Sequence, residues 1–171
     1  MFKKLNLNLD LSALEQIQSV QTLNLAAGIF QEHRILDLQR VLDIVAPQVK
    51  YNIKPDYSNF TVIKSLGAHV IHSDGLGITL NIYIRSSEET TTFFNNLSNH
   101  RLHTDTPRFY LYDKNQLEFG DSFQAKTNDC YLVDSDCPHS VSNIQGTRKI
   151  LRLIWSEAKF VDILNSIEII K

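Results

Sequence analysis

The stretch FTVIKSLGAHVIHSDGLGITLNIYIR, residues 60–85, decides the fold class of the 171-residue chain. It contains short runs of β-branched and aromatic residues interrupted by Gly, Ser and Asp, a pattern that indicates strands joined by turns. The pattern continues to residue 156 and predicts strands at 60–65, 68–73, 78–85, 91–95, 107–112, 117–124, 130–134, 138–143 and 148–156. Strands of this length and spacing favour an antiparallel sandwich or jelly roll over alternating βαβ units.

The regions on either side of these strands have helical patterns. Ser12 and Glu15 form a capping-box pattern, and apolar residues recur at helical spacing over 35–45, before Pro47. The tail returns to helical spacing after residue 156. We therefore expect one mainly β domain over 1–171, with an N-terminal helical support at 1–58, a jelly-roll core at 60–156 and a C-terminal helix at 157–171.

Composition and charge narrow the classes of protein. The chain is 43% hydrophobic and 21% charged, which is ordinary for a soluble globular protein. Its formal net charge of -2 does not favour nucleic acid or an anionic membrane as a partner. No apolar run approaches the ~18 residues needed to span a bilayer. Since Cys130 and Cys137 are too few for a disulfide framework, we expect a protein of the reducing cytoplasm.

Three side chains stand out as candidate metal ligands. His72 and Asp74 are two positions apart at the end of a predicted strand, so both side chains project from the same face. His139 lies far along the chain, at the start of another predicted strand. Two imidazoles and one carboxylate on one face of a metal leave the opposite coordination positions open, and this arrangement suits non-haem iron(II). The sequence thus predicts a metal site formed by these three residues.

Other histidines fit the pattern less well. His103 and Asp105 repeat the same spacing, but they lie in a polar stretch beside Pro107, where we expect a solvated loop. His69 precedes His72 by three positions, so a regular strand would direct it to the opposite face, where a structural role is expected.

Two arginines follow the predicted strand that contains His139. Arg148 lies nine residues after His139, and Arg152 shares its parity with Ile150 and Ile154. The two arginines are therefore expected to face the interior, where a guanidinium needs an anionic partner. A dicarboxylate suits this role, because guanidinium binds carboxylate groups through two parallel hydrogen bonds.

The region from about residue 60 to 156 resembles the 2-oxoglutarate/iron(II) oxygenases, especially small prolyl-hydroxylase-like members of phage and marine-bacterial type. The resemblance covers a little over half of the chain. It rests on His72-Ser73-Asp74, Leu80-Asn81-Ile82-Tyr83-Ile84, Thr92-Phe93-Phe94-Asn95, Asp134, Pro138-His139-Ser140-Val141-Ser142-Asn143 and Arg148.

This resemblance implies a double-stranded β-helix, the cupin-like jelly roll, in which His72, Asp74 and His139 bind iron(II). It further implies that Arg148 holds the distal carboxylate of 2-oxoglutarate, with Asn81 or Tyr83 near the end that chelates the metal. The implied reaction uses O₂ and couples oxidative decarboxylation of 2-oxoglutarate to oxidation of a substrate. That substrate is an amino-acid side chain or a small molecule.

The residues alone leave alternatives open. His72 and His139 are either ligands or hydrogen-bonded structural histidines. Arg148 either binds the dicarboxylate or pairs internally with Asp134 or Asp136, and Arg152 is its nearest competitor for the dicarboxylate. Two other functions remain: a cupin-like metal enzyme that does not use 2-oxoglutarate, and a non-catalytic jelly-roll binding module. One fold hosts many activities, so the fold does not choose between them. The sequence also leaves the substrate and the oligomeric state open.

Overall fold

The computed structural model describes residues 1–25, 30–64, 70–96, 110–142 and 144–170. The strands are β1 (Phe2–Leu5), β2 (Ser19–Leu25), β3 (Phe30–Ile35), β4 (Val49–Tyr51), β5 (Tyr57–Lys64), β6 (His72–Ser73), β7 (Ile78–Arg85), β8 (Thr90–Asn96), β9 (Tyr110–Leu111), β10 (Leu117–Gln124), β11 (Cys130–Asp134), β12 (His139–Ser142), β13 (Thr147–Trp155) and β14 (Ile167–Ile169). The helices are α1 (Leu11–Glu15), α2 (Leu38–Val45) and α3 (Phe160–Ser166), and a 3-10 turn lies at Lys114–Gln116.

Eight of these strands form two facing antiparallel sheets. One sheet contains the order β11-β7-β13-β5, and the other contains β10-β8-β12-β6. Along the chain, β5, β7, β11 and β13 lie in the first sheet, whereas β6, β8, β10 and β12 lie in the second. This winding of eight strands between two sheets is the jelly roll. The predicted fold class, a mainly β double-stranded β-helix with flanking helices, is therefore confirmed.

The central strands β7 and β13 of the larger sheet are buried on both faces, and the alternation of side chains along β13 separates two environments. Leu151, Leu153 and Trp155 belong to a hydrophobic core that includes residues of α1, α2 and α3. Ile150 faces the other way and packs in a cluster with Phe93 of β8 in the second sheet. The side chains with the parity of Ile150 therefore line the space between the two sheets.

The N-terminal region differs from the expected helical support. Helices α1 and α2 are present, but β1, β2 and β3 also lie in residues 1–58. Strand β1 pairs with β11, and β3 pairs with β5, so these segments cover both edges of the four-strand core. An uncovered edge would leave a row of backbone N–H and C=O groups without partners. The demand for edge pairing comes from the rest of the fold, which explains why local spacing missed these strands.

The ends of the helices also correct the sequence expectations. Asp10, not Ser12, caps α1, because its carboxylate accepts a hydrogen bond from the Ala13 N–H at 3.0 Å. Helix α2 starts at Leu38, after its cap Asp37, whereas the helical spacing in the sequence extends back to residue 35. The predicted C-terminal helix ends at Ser166, and the following residues form β14, which pairs with β4.

The strand predictions of the core agree closely with the structure. Strands 78–85, 117–124 and 130–134 have the predicted bounds. The predicted strand 68–73 is observed only at His72–Ser73, and residues 65–69, including His69, lie outside the described residues. Two further parts of the chain also lie outside the described residues: 97–109, which contains His103 and Asp105, and Asn143.

Two further expectations concern the cysteines and membrane spans. Cys130 and Cys137 are both free thiols, so they do not form a disulfide with each other. Among the described residues, none of the helices has the length and apolar character that crossing a bilayer requires.

Candidate metal centre

The pairing of β6 with β12 creates the centre of the site. His72 and His139 lie directly opposite each other in this antiparallel pair, and their ring centroids are 4.5 Å apart. Asp74 follows β6, where its backbone N–H donates to the Ser135 carbonyl oxygen at 3.0 Å. The Nε2 atom of His72 is 3.5 Å from Oδ1 of Asp74. The structure thus brings together the three residues that the sequence singled out.

The same type of contact, between Nδ1 and a backbone carbonyl oxygen, orients both histidines. Nδ1 of His72 is 2.9 Å from the Val70 carbonyl oxygen, and Nδ1 of His139 is 2.9 Å from the Cys137 carbonyl oxygen. A carbonyl oxygen only accepts hydrogen bonds, so Nδ1 must carry the proton in both rings. The lone pair of each neutral imidazole therefore lies on Nε2. Such contacts from the second ring nitrogen are the usual support of metal-ligating histidines.

The electrostatic environment keeps Asp74 and His139 deprotonated. Burial raises the pKa of Asp74, but the positive charge of Arg152, whose guanidinium is 3.1 Å away, opposes burial, and the pKa lies well below its usual range. Burial, together with repulsion from His72, lowers the pKa of His139 to about 3. At neutral pH, Asp74 is therefore a carboxylate and His139 is a neutral imidazole. These are the protonation states that metal binding requires.

This donor set fits a divalent transition metal. One ligand atom from each of His72, Asp74 and His139 lies within 4.8 Å of the other two. Ligand atoms bound at about 2.1 Å on one face of an ion are about 3.0 Å apart, so an inward shift of less than about 2 Å would bring these atoms to one ion. Two imidazoles and one carboxylate are the ligand types of the non-haem iron(II) facial triad.

A row of polar side chains lies beside the candidate metal ligands on the larger sheet. Arg152 of β13 is the register partner of Asn59 on β5 and of Asn81 on β7. Oδ1 of Asn81 accepts a hydrogen bond from the Thr79 hydroxyl at 3.0 Å. Arg152 Nε and both amide atoms of Asn59 are buried, and they have no hydrogen-bond partner in the part of the chain that the structure describes.

Arg148 lies in a different environment. Its Nε is 2.7 Å from Oε1 of Glu89, and its NH2 donates to the Tyr83 hydroxyl at 3.3 Å. Glu89 is fully buried, and its Oε2 accepts from the Ser86 hydroxyl at 2.8 Å and the Ser87 N–H at 3.0 Å. The internal partner of Arg148 is therefore Glu89, and the alternative pairing with Asp134 or Asp136 is wrong. Burial lowers the pKa of Arg148, but Tyr83 and Glu89 outweigh burial and raise it.

The sequence reasoning missed two residues of this interior. Glu89 follows two serines and another glutamate, a polar stretch that carries no sign of burial. Asn59 lies just before the first predicted strand, because β5 begins at Tyr57 and not at residue 60. An earlier start of that strand would have placed Asn59 on the same face as Thr61.

Together, the fold and the site define a jelly-roll protein with a candidate metal centre of two histidines and one aspartate. No family model matches the chain, and no curated protein matches it by sequence. Solved structures with a similar fold include hazelnut (Corylus avellana) vicilin, at 10% identity and a TM-score of 0.45, over 84% of this chain and 32% of that chain. Another is a salicylate 1,2-dioxygenase mutant from Pseudoaminobacter salicylatoxidans in complex with gentisate, at 12% identity and a TM-score of 0.42, over 86% of this chain and 31% of that chain.

A third similar structure is the epimerase SnoN in complex with Fe3+, alpha ketoglutarate and nogalamycin RO. It is 11% identical with a TM-score of 0.49, over 84% of this chain and 69% of that chain. The present chain thus spans about a third of the length of the vicilin and the dioxygenase. Similarities at this level of identity assign no activity to the chain.

Proposed function

We propose that the chain is a non-haem iron(II) oxygenase that uses 2-oxoglutarate and O₂ to oxidise a small molecule or an amino-acid side chain, most simply by hydroxylation. The observation that carries this proposal is the convergence of His72, Asp74 and His139 between the two sheets. When bound, iron(II) supplies open coordination positions for a co-substrate and O₂. The three ligand residues would hold the ion, and their surroundings keep Asp74 and His139 deprotonated.

The 2-oxoglutarate part of the proposal rests on Arg148 and Tyr83. Glu89 already places a carboxylate against Arg148, whose guanidinium also contacts the Tyr83 hydroxyl. This environment is therefore suited to a carboxylate, and we propose that the distal carboxylate of 2-oxoglutarate replaces that of Glu89. Arg152 is four residues along the same strand, or about 13 Å, so the two arginines serve different parts of the interior.

The contact between Glu89 and Arg148 also favours a second function. Glu89 makes hydrogen bonds with Arg148, Ser86 and Ser87, and a buried carboxylate with this many partners is costly to displace. If Glu89 stays in place, Arg148 already has a carboxylate partner, and its charge is neutralised without a co-substrate. The chain would then be a cupin-like metal enzyme that does not use 2-oxoglutarate.

The deciding experiment is an anaerobic titration of the metal-free protein with iron(II) and then 2-oxoglutarate. Under the first function we expect a weak visible metal-to-ligand charge-transfer band on addition of 2-oxoglutarate. The double variant Arg148→Met/Glu89→Gln removes the buried pair together, and it should weaken 2-oxoglutarate binding by roughly 10–100-fold while iron(II) binding stays unchanged. The matched variant Arg152→Lys keeps a positive charge beside Asp74 and should retain the band.

Each of the other outcomes supports a different function or a different role for the two arginines. Iron(II) binding without the band in the unmodified chain supports the function without 2-oxoglutarate. A band that is lost in Arg152→Lys but kept in the double variant shows that Arg152 holds the co-substrate. Absence of metal binding leaves a non-catalytic jelly-roll module.

A further inference from the structure

Several buried polar atoms in the interior have unmet hydrogen-bonding capacity. On the faces of β5 and β13 that point toward the second sheet, they are Nδ2 and Oδ1 of Asn59, Oγ1 of Thr61 and Nε of Arg152, none with a partner among the described residues. Asn59 and Thr61 are each 1% exposed, and Arg152 is 6% exposed. Buried polar groups are nearly always hydrogen-bonded in folded proteins, so a cluster of unpaired ones needs an explanation.

The sheet register places these atoms on one surface. Asn59 is the cross-strand partner of Arg152, and Thr61 is two residues further on the same face of β5. Ile63, the next residue with this parity, packs against Val141 of the opposite sheet. The three polar side chains therefore project into the space between the sheets, at the level where Arg152 contacts Asp74.

The buried atoms without partners include both hydrogen-bond donors and an acceptor. Nε of Arg152 and Nδ2 of Asn59 are donors, Oδ1 of Asn59 is an acceptor, and the Thr61 hydroxyl serves as either. A carboxylate would accept from the two donors, but it would leave the Asn59 acceptor unmet. A ligand that satisfies the whole group must carry an O–H or N–H donor beside its carboxylate.

We propose that Asn59, Thr61 and Arg152 form the recognition site for a small carboxylic acid that bears a hydroxyl or amino group next to the carboxylate. In this site Arg152 Nε and Asn59 Nδ2 donate to the carboxylate, and Asn59 Oδ1 and the Thr61 hydroxyl accept from the neighbouring hydroxyl or amino group. The inference names the substrate class of the proposed oxygenase and rests on that function only for the step after binding. Because 2-oxoglutarate offers acceptors alone near its carboxylates, it is a poor match for Asn59.

The test compares three acids with one carbon skeleton in the metal-free protein: propionate, L-lactate and L-alanine. Binding is followed by saturation-transfer NMR and by the shift of the melting temperature. We expect L-lactate or L-alanine to bind roughly tenfold more tightly than propionate, because propionate leaves a buried acceptor unmet. Equal binding of the three acids, or no binding of any, would overturn the proposal.

The variant Asn59→Leu and the control Ser58→Ala make the test specific. Ser58 is also 1% exposed, and its hydroxyl also lacks a partner among the described residues, but it has the parity of Leu153 and faces the helices. The preference for L-lactate or L-alanine should disappear in Asn59→Leu and persist in Ser58→Ala. If this preference persists in Asn59→Leu, Asn59 does not belong to the recognition site.

A second readout protects the test against misfolding. Removing an unmet buried amide should raise the melting temperature of the ligand-free protein by roughly 2–4 °C in Asn59→Leu. If this variant does not fold, Thr61→Val removes one hydroxyl with little change of shape and should reduce the same preference. A preference unchanged in Thr61→Val would then count against the site. The iron(II) and 2-oxoglutarate titration is independent of these results, so the two proposals fail separately.

Discussion

The two inward arginines of β13 occupy opposite environments in one interior. Arg148 is 4% exposed and is neutralised by Glu89, which is itself held by Ser86 and Ser87. Arg152 is 6% exposed and contacts Asp74, but its Nε and the neighbouring Asn59 amide have no partner among the described residues. Burial is therefore the same at both positions, and the completeness of hydrogen bonding differs. The incomplete end is the one that lies beside the candidate metal ligands.

This contrast teaches that a buried charge alone does not mark a functional site. A fully paired group already has its interactions in the folded protein, whereas an incompletely paired group gains them from a ligand. The paired arginine is thus a structural element unless a ligand carboxylate displaces its partner.

The largest expected effect is at the paired end. Glu89→Ala leaves the Arg148 guanidinium buried without its carboxylate, and we expect a loss of about 3–5 kcal/mol in the free energy of unfolding. Denaturant unfolding monitored by circular dichroism measures this loss. The exposed residue Glu118 supplies the control, since Glu118→Ala should change the free energy by no more than about 0.5 kcal/mol. A loss as small as that of the control would mean that Arg148 does not depend on Glu89, so that a ligand carboxylate could readily replace it.

The next effect concerns the metal ligands. Asp74→Ala removes the carboxylate of the candidate centre, so the affinity for iron(II) or manganese(II) should fall by more than about 100-fold. Isothermal titration calorimetry under anaerobic conditions provides the measurement. Asp136→Ala removes a carboxylate that accepts a hydrogen bond from the Gly77 N–H outside the triad, and it should bind metal normally. Equal metal affinity in the two variants would show that Asp74 is not a ligand.

The smallest effect is a pH dependence of the metal-free protein. The pKa of His139 is lowered from 6.5 to about 3 in the fold, so between these values the unfolded chain binds a proton that the folded chain does not. The free energy of unfolding should therefore decrease as pH falls through this window, with a slope of up to about 1.4 kcal/mol per pH unit. Asp74 also has a lowered pKa, but its stabilising effect is fully present above its usual value of 3.8 and is lost only at lower pH.

Unfolding at pH 7 and pH 5 measures the slope. In His139→Asn the residue no longer titrates, so the decrease between the two pH values should become smaller. A slope unchanged in this variant would assign the pH dependence to another group.

Much of the core was predictable because its pattern is local. The run Ile78 to Arg85 alternates between two buried faces, and its high content of β-branched residues made the strand bounds clear. Two of the three candidate ligands were predictable for a related reason: the parity of His72 and Asp74 depends only on strand geometry. The N-terminal strands were not predictable, since β1 and β3 form where the sheet edges need partners. The role of Arg148 was open because Glu89 lies 59 residues away in sequence.

The sequence by itself determined the mainly β fold, the jelly-roll spacing of its strands and the pairing of His72 with Asp74, because these follow from the alternation of side chains along single strands. His139 was singled out as the third ligand by its place in the motifs that carry the family resemblance. Only the tertiary structure decided which arginine is paired with a carboxylate and which lies beside Asp74. It alone also decided that Asn59 is left with unmet donors and an acceptor. Those properties depend on which residues meet across sheets and registers, and contacts between distant segments are not encoded in any local pattern.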